Sequence, residues 1–101
     1  MHRWRAKVII ADGQYFTGRA RILSERQLAV HGHLALALHT PCQVSIELPE
    51  KPGTSVFRRV DLQCFVSLVV FDSKGIRLEM TVKNIRPAEQ TILRRHSQAE
   101  R

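Results

Sequence analysis

Two cysteines, four prolines and five glycines are all that this 101-residue chain contains of those three residue types. The cysteines, Cys42 and Cys64, form no CxxC pair and no dense framework, so no disulfide scaffold is implied. With 44% hydrophobic and 25% charged residues beside so little proline and glycine, the chain is no collagen-like repeat, low-complexity segment or disordered tail. Six aromatic residues (one Trp, one Tyr, four Phe) supply a stacking platform for nucleic acid poorly. Long apolar runs are missing too: the least charged stretches, 34–38 and 64–71, fall well short of the ~20 residues that span a bilayer. The basic start over 1–7 runs into alternating sequence without an apolar core, so no secretory signal is expected and the cytoplasm is the expected compartment. Acidic residues number only nine and are scattered, with no pair close in sequence to share acid and base roles. GxSxG, HExxH and P-loop patterns are absent, and no enzyme is expected.

What is present is positive charge and a period of two. Sixteen Lys and Arg leave a net charge of +7, which favours an anionic partner: nucleic acid, nucleotide, acidic protein or membrane surface. The length suits one domain over 1–101, burying roughly 65% of the surface exposed by the unfolded chain. Residues 7–11 are apolar and β-rich, and Asp12-Gly13 supplies a tight turn into an alternating segment over 15–23. There Phe16, Ala20 and Ile22 share one face, and Thr17, Arg19 and Arg21 the other. Short apolar runs follow at 28–30 and 34–38, and 43–48 alternates with Val44, Ile46 and Leu48 inward. A loop over 49–54 precedes a long strand with Val60, Leu62, Cys64, Val66, Leu68 and Val70 on one face. After a turn at 72–75, Ile76, Leu78, Met80 and Val82 face in. Pro87 at a first helical turn, Glu89 early and Arg94, Arg95 and Arg101 late predict a helix over 86–97. Its apolar stripe is Ala88, Ile92 and Leu93 with His96. The fold class is all-β with a C-terminal helix, a small six-stranded antiparallel barrel over 7–83, because closure removes exposed strand edges.

Three groups of residues could carry chemistry. His31, His33 and His39 offer His-x-His spacing, but a third ligand would have to be His39, Cys42 or something remote. Gly32 marks a turn that breaks strand geometry, so these are read as surface or loop histidines and no metal is expected. Cys42 and Cys64 look like small buried hydrophobes rather than nucleophiles. Arg3, Arg5 and Lys7 alternate around Trp4 on a basic N-terminal arm or first strand over 1–7, and Arg19, Arg21 and Arg26 follow. Guanidinium groups fork onto phosphate oxygens, so this cluster is a candidate anion clamp. Arg58-Arg59 and Arg94-Arg95 read as solvated charge, and Trp4, Tyr15 and Phe57 are candidate interface anchors.

The segment 22–30, with residues 34–36 and the strand over 43–48, resembles the heart of PilZ domains. There an I/L-S-x-x-G-L turn leads into a strand and an L-x-L-x-x-G-T-x-V segment. Residues 60–82 are similar to the family's long hairpin, and 85–95 to its closing helix. The resemblance implies a six-stranded barrel with a C-terminal helix, which the periodicity gives independently. It also implies a place in bacterial cyclic di-GMP signalling. Members that bind the nucleotide use RxxxR on an N-terminal arm and D/N-x-S-x-x-G. Here Arg3 and Lys7 carry the first spacing with lysine in place of the second arginine, a point charge rather than a fork. Ser24 matches the serine, but Ile22 replaces the acidic residue and Gln27 the glycine. Arg3, Arg5, Lys7 and Ser24 are thus the candidate nucleotide-binding residues.

The expected function is a non-enzymatic PilZ-like regulatory or adaptor domain acting through protein–protein contacts, with weak or no cyclic di-GMP binding and no cofactor. Its partner would belong to a signalling, motility or secretion system. The alternatives are a cyclic di-GMP receptor with a modified site, and a small basic barrel binding RNA or DNA.

Overall fold

Alternation along the strands curls the chain into a tube. In the computed structural model, which describes residues 3–99, the strands are β1 (Trp4–Ile9), β2 (Tyr15–Ser24), β3 (Gln27–Gly32), β4 (Pro41–Pro49), β5 (Phe57–Asp72) and β6 (Gly75–Lys83), followed by helix α1 (Pro87–Ala99). Every pairing is antiparallel. The order β1-β2-β3-β6-β5-β4 closes when β4 returns to β1. Asp12 and Gly13 make the first turn at φ of 68° and 75°, left-handed values suited to a short polar residue and a glycine.

Inward residues of successive strands meet in one core: Ala6 and Val8, Ala20 and Ile22, Leu28 and Val30, Val44, Ile46 and Leu48, Val60 to Val66 at alternate positions, and Leu78, Met80 and Val82. Gly18 belongs to the inward row of β2, and only glycine fits there. A Cβ at that position would stand 2.5 Å from the His31 carbonyl oxygen and 3.0 Å from Val30 Cγ1.

Helix α1 closes one mouth of the barrel. Ile92 and Leu93 enter the core, and the His96 Nε2 atom bonds the Pro49 carbonyl at 2.6 Å, at the end of β4. The Trp4 ring packs edge-on against His96 and Phe57, with centroids 5.7 and 6.3 Å apart. Arg94 reaches Glu25 in the β2–β3 turn at 3.9 Å.

Four expectations need correction. The wall begins at Trp4 rather than residue 7, because β1 pairs with β2 from Trp4 onward and Ala6 is already in the core; Met1 and His2 of the expected arm lie outside the described residues. Ala88 is exposed, which confines the helix's apolar stripe to its later turns, and Arg101 lies outside the described residues. The run 34–38 forms no strand: Leu34 and Leu38 are exposed in an irregular connection. His39, at φ 70°, and Thr40 pin that connection to β5 through backbone bonds with Val66. Finally, Val66 pairs with Met80 but Leu68 with Glu79, so Ser67 is an extra residue, a β-bulge whose hydroxyl donates to the Glu79 carbonyl. The bulge reverses the facing beyond it: Leu68 turns out and Val69 packs against the core.

Candidate functional site: a basic cleft on the barrel wall

The outward rows of β1, β2, β4 and β5 line a cleft of about 660 Å³. Strand register builds it. Arg5 lies directly opposite Arg19, Lys7 opposite Thr17 on one side and Ser45 on the other, and Glu47 opposite Arg59. Trp4 and Phe57 form its wall at the helix-closed end. Four cationic side chains and one carboxylate, Glu47, line the cleft.

Their engagements differ. The Arg59 Nε–H donates to Asp61 at 3.1 Å, and the Ser45 hydroxyl donates to the same carboxylate oxygen. The Ser45 bond and then Arg59 hold the Asp61 carboxyl below its ordinary value, against the opposing effect of partial burial. Lys7 Nζ sits 4.2 Å from the centroid of the Tyr15 ring, a cation–π contact. Among the described residues, no carboxylate forms an ion pair with Arg5 or Arg19.

The positive row continues around the barrel: Arg19 lies opposite His31, and His31 opposite Arg77. His31 Nδ1 and Arg77 Nε are buried without a hydrogen-bond partner among the described residues. Burial first, then the charges of Arg3 and Arg77, keep the His31 imidazole below its usual value. The histidines do not assemble. β3 ends at Gly32, which leaves His33 exposed beyond the strand, and His39 lies in the connection to β4. No three His, Cys, Asp or Glu among the described residues are placed to hold a metal ion.

Cys42 and Cys64 face each other across β4 and β5, both buried and free. Burial pushes the Cys42 thiol up to about 11 and the Cys64 thiol up to about 12, so neither is a thiolate near neutral pH.

The cleft gathers Arg5 and Lys7 but not all the sequence candidates. Arg3 is exposed just before β1. Ser24 ends β2 beyond the cleft, its hydroxyl accepting the Arg26 backbone N–H at 3.2 Å within the β2–β3 turn. Ile22, at the position where the resembled motif carries an acid, is 2% exposed inside the core. Arg59, read from sequence as solvated charge, is a cleft residue, and so is Glu47; extending the alternation of β4 and β5 outward as well as inward would have found both.

Together these features define a closed six-stranded antiparallel barrel, sealed by a C-terminal helix and carrying a basic cleft on its outer wall. The structure of the Bacillus subtilis inhibitor of motility (MotI/DgrA) is similar, with a TM-score of 0.82 at 14% identity. The match covers 98% of this chain and 47% of that one, so the chain spans about half the length of its neighbour. No protein-family model matches the chain, and no curated protein matches it. No helix among the described residues is long and apolar enough to cross a membrane.

Proposed function

We propose that the chain is a PilZ-like regulatory domain of bacterial cyclic di-GMP signalling that acts as an adaptor, through contacts with a protein partner. The barrel and helix agree with the fold that the PilZ resemblance implies. His39 supports the same reading. Laid on the L-x-L-x-x-G-T-x-V pattern from Leu34, His39 falls at the glycine and Thr40 at the threonine, and His39 holds the positive φ that glycine adopts readily. Similarity in fold to an inhibitor of motility makes control of motility the first output to examine.

One observation carries the adaptor reading over nucleotide reception. The turn that would hold guanine lacks the motif's carboxylate acceptor, since Ile22 stands at that position inside the core, and one lone pair of the Ser24 hydroxyl is taken by the Arg26 N–H. The second reading, a cyclic di-GMP receptor with a modified site, is favoured by the convergence of Arg5, Lys7 and Arg19. Titrating cyclic di-GMP into isotope-labelled protein and following backbone amide shifts separates the two. The adaptor reading expects no saturating shifts at millimolar ligand. Saturating shifts clustered at residues 3–7 and 24–30 would overturn it and make the chain a receptor.

A further inference from the structure

We infer that the basic cleft docks an acidic segment of a partner protein that carries one large apolar side chain. The inference rests on the adaptor reading above and gives that adaptor a surface and its partner a chemistry.

The first ground is unbalanced charge. Arg5 and Arg19 are direct cross-strand neighbours with no ion-paired carboxylate among the described residues. Like charges directly opposite each other work against the isolated fold, and an arriving carboxylate relieves that repulsion. The second ground is the mixture of signs. The wall holds Arg19 and Arg5, cross-strand partners on β2 and β1, and Glu47 and Arg59, cross-strand partners on β4 and β5, with Asp61 bonded to Arg59. A phosphodiester chain crossing this wall would meet Glu47 with like charge. A peptide sets carboxylates on the arginines and backbone N–H or hydroxyl donors on Glu47.

The third ground is the aromatic end. Two T-shaped contacts, with Phe57 and with His96, hold the Trp4 ring half-buried and fixed in place. Phe57 is 54% exposed, so the two rings form a shallow apolar step beside the cations. A Leu, Met or Phe side chain covers such a step. At the cleft β1 is paired with both β2 and β4, and β4 with β5, so the partner engages side chains rather than extending the sheet.

The test uses the whole chain and a short synthetic peptide of glutamates flanking one leucine. Trp4, the only tryptophan, reports from the cleft through its emission, and amide shifts map the contact. The expected result is saturable binding that weakens with added salt and is lost when lysines replace the glutamates. Replacing the leucine with glycine weakens it as well. The Arg5→Ala/Arg19→Ala double variant binds about tenfold more weakly or worse. Lys74→Ala, an exposed substitution in the β5–β6 turn, leaves binding unchanged. Thermal melting of the double variant, expected at or above the parent value because a repulsion has gone, separates lost binding from lost folding. Three results overturn the inference: no saturable change with the peptide, equal binding by the double variant, or binding of single-stranded DNA at a salt where the peptide stays silent. Failure here without cyclic di-GMP shifts removes this surface and leaves the adaptor reading standing. Saturating cyclic di-GMP shifts that displace the peptide overturn both.

Discussion

Replacing Leu93 with alanine tests whether α1 belongs to the core or merely lies on the barrel. Leu93 is fully buried and shares the core cluster with residues of all six strands. The truncation removes roughly three carbon groups from an apolar site, about 2.4 kcal/mol at ~0.8 kcal/mol each. The Trp4–His96 contact and the His96 bond to Pro49 anchor the helix one turn beyond Leu93, so the site collapses only in part and a residual cavity adds to the loss. The total comes to about 3–4 kcal/mol. Against the ~5–15 kcal/mol typical of a domain this is severe, and a melting temperature lower by about 15–25 °C is expected. Urea unfolding followed by far-UV circular dichroism, with Trp4 emission as second probe, measures it. Arg95→Ala, on the exposed face of the same helix, is the control and should stay within about 0.5 kcal/mol of the parent. A loss below about 1 kcal/mol for Leu93→Ala would refute the reasoning, because no residue sealed in the mouth of a barrel could be removed so cheaply.

Three further outcomes are expected. Gly18→Ala should destabilise by about 2–3 kcal/mol in urea unfolding, since its Cβ would meet the His31 carbonyl rather than a side chain that can swing away; a loss under about 0.5 kcal/mol would contradict the close approach. His39→Gly should stabilise by about 0.5–1 kcal/mol, raising the melting temperature by a few degrees, because an exposed residue at φ 70° gives up its strain and no buried contact. At alkaline pH the native fold retains the Cys42 and Cys64 protons that the unfolded chain releases above about pH 8.5. Stability is therefore undiminished by the thiols below that pH and falls as pH rises towards 11–12, by up to ~1.4 kcal/mol per unit for each thiol. Cys42→Ala/Cys64→Ala should flatten this decline in pH-dependent melting, and an unchanged slope would count against the buried thiols.

The barrel was legible in the sequence because its core is written in alternation. Val44, Ile46 and Leu48, or Leu78, Met80 and Val82, point to one side wherever neighbouring strands run, so neither pairing nor topology is needed to place them. The bulge was not legible. Val66-Ser67-Leu68 continues the period without interruption, and only the pairing with β6 decides that Ser67 is the extra residue. The cleft was half legible. Arg5 and Lys7 advertise themselves by spacing along one strand, whereas Arg19, Glu47 and Arg59 come from three other strands and become neighbours through barrel closure. The Ser24 motif failed for a different reason. Its match was one of residue type, and Ser24 lies at the β2–β3 turn beyond the cleft, bonded to the backbone N–H of Arg26.

Closure also separates what keeps this domain folded from what it can recognise. In a closed wall strand residues alternate between an inner and an outer set, and the outer set is the one that meets another molecule. Ala6 and Val8 can stay as they are while Arg5 and Lys7 are exchanged one at a time, since neither of those outer side chains enters the core. Such a scaffold can change its allegiance without passing through an unfolded ancestor. A TM-score of 0.82 at 14% identity shows that very different sequences fit this barrel.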